Sequence, residues 1–106
     1  MKASDIASKA AKLVSGDRDR QHGDKLKNFA GIASVWNGIL DAAGKRAGTG
    51  LTAKDVAVLM AGLKLARMYS GEFNEDDGVD AAGYASCAGE IASLEDEKAQ
   101  SWSRVA

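Results

Sequence analysis

Two stretches of this sequence hold more charge than a surface requires, and both suit ion binding. The first is Gly16-Asp17-Arg18-Asp19-Arg20-Gln21-His22-Gly23-Asp24, which packs five charges and the only histidine into nine residues. Arginine presents a planar fork of donors suited to phosphate or carboxylate, and flanking glycines let backbone N–H groups approach a ligand. A helix starting beyond Asp24 aims its positive end at the same place. Arg18, Arg20, His22 and Asp24 are therefore candidate contacts for an anion or nucleotide. The alternative is a solvated turn in which Asp17 and Asp24 cap helices and the arginines pair with them.

The second stretch, Glu72-Phe73-Asn74-Glu75-Asp76-Asp77-Gly78-Val79-Asp80, has five carboxylates and no base. On a helix beginning near Asp76, Asp77 and Asp80 share one face, with Tyr84 a turn further along. Two carboxylates so placed repel unless a cation stands between them, either Mg²⁺ held through oxygen or a basic side chain. Complementing the helix N-terminus explains Glu75, Asp76 and Asp77, but Asp80 lies deeper. On the preceding apolar segment the only charges after Asp55 are Lys64 and Arg67, again three apart. Either the two acids meet these two bases as an internal lattice, or a phosphate does. Lys64, Arg67 and Tyr84 are thus candidate ligand contacts, and Asp77 and Asp80 candidate metal ligands. No residue is assigned a catalytic role.

Helices must position these groups, because apolar residues recur at steps of three and four and no alternating strand pattern appears. The first helix is expected from about Ser4 to Ser15, capped by Ser4, with a stripe of Ile6, Ala10, Leu13 and Val14. The second runs from beyond Asp24 to about Lys45, with Leu26, Phe29, Ile32, Trp36, Ile39, Leu40 and Ala43 on one face and Gly48-Thr49-Gly50 as its stop. Thr52 and Asp55 have capping-box spacing for a third. Its run Val56–Leu63 bears no charge, which predicts a helix buried all round. The fourth is expected from about Asp77 to Glu97, and its small residues between Ala81 and Gly89 let a neighbour pack closely. These elements predict a compact all-α four-helix bundle, a single helical domain over residues 1–94. Residues 95–106 follow as a polar helix extension or tail, with Trp102 docked or offered to a partner. So apolar a third helix in so short a chain also predicts a homo-oligomer.

Composition narrows the function. The chain has 106 residues, 45% hydrophobic and 27% charged, with a net charge of −1. Bulk binding of nucleic acid needs a strongly basic face, so it is not expected. One cysteine and one histidine cannot build a zinc framework within a chain. Cys87 sits among small residues without a nearby base, as a buried structural cysteine does. Gly48-Thr49-Gly50 lacks the Lys-Ser/Thr of a phosphate-binding loop. The N-terminal residues lack the apolar stretch of a secretory signal, and no run approaches the ~20 residues that span a bilayer. A cytoplasmic protein without membrane contact is the expectation.

The residues also carry a resemblance. Gly16-Asp17-Arg18…His22-Gly23-Asp24…Asn28-Phe29…Trp36, then Thr52…Asp55-Val56…Leu63-Lys64…Ala66-Arg67, then Asp77…Val79-Asp80…Gly83-Tyr84, resemble a family of small uncharacterised phage and prophage domains. The likeness covers roughly residues 7–90. In plan that family distantly resembles the all-α nucleoside triphosphate pyrophosphohydrolases of the MazG type, which are helical, usually oligomeric, and hold Mg²⁺ with two acidic pairs. Asp77-x-x-Asp80 with Gly83-Tyr84 is similar to the second pair. Lys64 and Arg67 stand where the first would be. The resemblance implies a nucleotide or nucleotide-derived signal, such as a cyclic nucleotide, bound on a helical scaffold in the host cytoplasm, with hydrolysis left open. The alternatives are a Mg²⁺-dependent pyrophosphohydrolase and a non-enzymatic inhibitor of a host defence protein.

Overall fold

The computed structural model describes residues 1–15 and 25–105. Arg18, Arg20, His22 and Asp24 lie outside the described residues. Among the described residues are four α-helices and no strand: α1 Ala3–Leu13, α2 Lys25–Ala42, α3 Ala53–Arg67 and α4 Glu75–Val105. The all-α architecture expected from the spacing is therefore the one observed. The largest contact joins α3 to α4, while α2 lies against α3 and α1 against α4. At about 1.5 Å per residue the 31 residues of α4 cover most of the 49 Å long dimension.

The helix starts follow from local hydrogen bonding. The first is capped two residues earlier than its serine suggests. Lys2, not Ser4, is the N-cap residue, and its N–H donates to Asp5 Oδ2 at 3.0 Å. At α3 the expected capping box is present: Asp55 N–H donates to Thr52 Oγ1 at 3.2 Å, and Thr52 N–H donates back to Asp55 Oδ2 at 2.8 Å. That backbone donor, then the Thr52 hydroxyl and the nearby Lys54 charge, hold the Asp55 carboxyl below the usual carboxylate range. A carboxyl lowered by folding contributes stability that is fully present above its unfolded pKa. The contribution is lost as pH falls through the lower folded value. Thr52→Val removes the hydroxyl, so Asp55 should titrate at higher pH by carbon-detected NMR, and acid unfolding should begin at higher pH.

The second helix stops earlier than expected, at Ala42, where Gly44 takes a positive φ of 68°. The loop is then fixed by Asn37, whose amide accepts from Leu51 N–H at 2.8 Å and donates to Leu51 O at 3.0 Å. Gly50 takes φ 87°, a left-handed conformation that favours glycine, and a Cβ there would also crowd the Arg46 guanidinium and Asn37 Oδ1. Arg46 is held by Asp41 and by the carbonyl of Thr49, each at 3.0 Å.

The core gathers Phe29 and Ala33 of α2, Ala53, Val56 and Ala57 of α3, and Cys87, Ala88 and Ile91 of α4. Cys87 is buried, as its setting among small residues indicates. On α1, Ala10 is buried. A Cβ at Gly78 would lie 3.5 Å from Ile6, and one at Gly83 would lie 3.4 Å from Val14. The small residues of α4 thus admit a neighbouring helix, and that neighbour is α1.

Two further expectations need correction. The third helix is not buried all round: Val58, Leu59, Leu63 and Leu65 are about half exposed. A helix apolar on every face still packs only the side that its two neighbours reach. The fourth helix begins at Glu75, two residues early, because Asn74 Oδ1 accepts from Asp76 N–H at 3.0 Å. It continues through residues 95–105 as a helical extension, on which Trp102 is 75% exposed rather than docked.

Candidate functional site

Lys64 and Arg67 occupy the last turn of α3, while Asp77 lies in the first turn of α4 and Asp80 a turn further along. The chain reverses through residues 68–74, so the end of one helix lies beside the start of the next. Antiparallel order then matches the earlier base with the later acid. Lys64 Nζ stands 3.0 Å from Asp80 Oδ2, and Arg67 Nε 3.8 Å from Asp77 Oδ1. The bases also sit at the negative end of α3 and the acids near the positive end of α4, so each charge complements its own helix.

The two pairs differ. Lys64 and Asp80 are 16% and 29% exposed and within hydrogen-bonding distance, so this pair is a partly buried clasp between helices. The Asp77 side chain is only 8% exposed and Arg67 is 54% exposed. At 3.8 Å their contact is longer than a hydrogen bond, and among the described residues neither charged group makes one. Among the described residues no buried side-chain oxygen is left without a partner, so the Asp77 carboxylate oxygens still reach water and are open to a donor, and the half-exposed guanidinium keeps most of its own donors available. Tyr84, a turn beyond Asp80, packs edge-on to Phe29 with ring centroids 6.2 Å apart. Lys9 Nζ reaches Glu75 Oε1 at 2.6 Å, and Lys25 reaches Glu90 at 3.1 Å. Both join α4 to an earlier helix.

Of the residues singled out in the sequence, the structure thus brings together Lys64, Arg67, Asp77 and Asp80, with Tyr84 a turn away. A Mg²⁺ centre usually takes one or two carboxylates and completes its shell with water or phosphate oxygens. Asp77 and Asp80 each face a cation already, and among the described residues no group of three or more His, Cys, Asp or Glu gathers around an ion. Both carboxylates are engaged with bases in this structure, and no reaction step is routed through a metal. The reading from spacing missed Asn37, whose role is visible only once the loop returns to α2. It also missed the uncovered side of α2, where Val35 and Ile39 are about 60% exposed.

Fold and site together define a small all-α protein whose third and fourth helices share a charged seam, tight at one end and loose at the other. Its family follows from sequence comparison: the chain belongs to the family described as Domain of unknown function (DUF6378), whose model matches residues 5–92. It is 37% identical over 93 residues to the Gene 55 protein of Mycobacterium phage L5, an alignment covering 88% of this chain and 56% of that one. It is 33% identical over 86 residues to the Gene 55 protein of Mycobacterium phage D29, covering 81% of this chain and 52% of that one. The chain thus spans little more than half the length of these relatives. No solved structure matches it. The phage-domain part of the resemblance is established, and the pyrophosphohydrolase part is not. No helix among the described residues is long and apolar enough to cross a membrane.

Proposed function

We propose that the chain binds a phosphorylated small molecule of the nucleotide class at the Arg67–Asp77 end of the α3–α4 seam. One observation carries this reading: Asp77 is buried and faces Arg67 at 3.8 Å, yet neither charged group makes a hydrogen bond among the described residues. A phosphate satisfies the guanidinium fork, and an N–H donor on the same ligand, such as a nucleobase presents, satisfies the carboxylate. Lys64 adds positive charge one turn away while remaining clasped to Asp80. The proposal concerns binding, and the distant likeness to pyrophosphohydrolases bears only on the class of ligand.

Thermal melting against nucleoside mono-, di- and triphosphates and cyclic nucleotides, with Mg²⁺ and with EDTA, tests the reading. One class should raise the midpoint in EDTA, with a gain of about 2.7 kcal/mol at a hundredfold excess over Kd. Arg67→Gln should abolish the shift, and Arg67→Lys should weaken it because an ammonium lacks the fork. A shift seen only with Mg²⁺ would point instead to a metal-bridged complex. Flat curves across the panel would remove the proposal.

A further inference from the structure

We infer that the outer face of α2 and α3, bearing Val35, Ile39, Leu59 and Leu63, is the interface for a second copy of this chain. These side chains are 62%, 61%, 48% and 48% exposed. Ile39 and Leu59 line one open groove between the helices, together with Trp36, Leu40 and Leu51. Val35 stands one turn before Ile39, and Leu63 one turn after Leu59, so the four form a band across two neighbouring helices. No charge falls within residues 28–40 or 56–63. A helix face that meets only water ordinarily carries charged or polar residues, and this one does not.

Area and charge both point to a second copy as the occupant. The exposures of the band and its groove amount to roughly 400–500 Å² of apolar surface, about the apolar share of a standard interface of ~800 Å² per partner. In a two-fold contact the same patch is used on both sides. Any net charge on it would face its own kind, so an uncharged band suits self-association. Gly38 and Gly62 lie beside the band, and a Cβ at either would meet nothing within 4 Å. Glycine inside a helix costs roughly 1 kcal/mol relative to alanine, and here it leaves room for a partner helix to come close.

Light scattering coupled to size exclusion tests this, with mass as the readout, so its outcome is separate from that of ligand binding. The full chain should elute at twice 11.0 kDa. The double variant Ile39→Glu/Leu59→Glu should elute as a monomer with unchanged helical circular dichroism, since these side chains are already 61% and 48% exposed in a single chain. Tyr69→Ser/Phe73→Ser alters a different exposed apolar pair, in the α3–α4 loop, and should stay dimeric. A monomeric wild type at high micromolar concentration would overturn the inference. So would a dimer that survives the double glutamate variant, or one that is lost in the loop variant.

Discussion

Ile91→Ala should lower the thermal midpoint by roughly 10–25 °C, the value expected when about 2–4 kcal/mol is lost from a domain of this size. Ile91 is 1% exposed and belongs to the core that three helices build, with Phe29 from α2 and Val56 and Ala57 from α3. Most of the other buried core side chains are alanines, which are too short to swing into the vacated space. The cost therefore falls in the range for a cavity that does not collapse, and it is a sizeable part of the 5–15 kcal/mol that usually holds a domain together. Denaturant titration should show a lower midpoint with an unchanged slope. A loss below about 4 °C would mean that α2, α3 and α4 do not share one core.

Lys64→Met should cost about 1–3 kcal/mol, less than the 3–5 of a fully buried pair because Lys64 and Asp80 keep 16% and 29% of their side-chain exposure. Its origin is the Asp80 carboxylate left without its partner, rather than the loss of an especially strong attraction. The double variant Lys64→Met/Asp80→Leu should accordingly recover most of the loss, since two apolar side chains can replace a paired charge at little cost. Chemical denaturation of the wild type, both single variants and the double variant closes the cycle. A double variant as unstable as the sum of the singles would show that the clasp is not a unit. Recovery would assign the tight half of the seam to structure, leaving Arg67 and Asp77 as the half available to a ligand.

Much of this architecture was legible in the residues. The steps of three and four in α2, the Thr52–Asp55 box and the small residues of α4 each express a local rule, and each has its counterpart in the structure. Boundaries were less legible because they turn on single hydrogen bonds. Asn74 extends α4 backwards, Asp5 moves the cap of α1 to Lys2, and Gly44 ends α2 before the glycine pair that looked like its stop. The burial of α3 misled for a different reason: absence of charge tells that a face avoids water, but not whether the same chain covers it. In the seam, spacing put Lys64 with Arg67 and Asp77 with Asp80 on shared faces. Only the turn at residues 68–74 decides which base meets which acid, and how closely.

The most direct test of the ligand reading is the Arg67 Nε–H resonance by NMR, followed while a nucleotide series and inorganic phosphate are titrated into the full chain. The account predicts that one nucleotide class shifts this signal saturably, and that inorganic phosphate shifts it less. A signal that stays fixed while every ligand of the series is brought to saturating excess would contradict it.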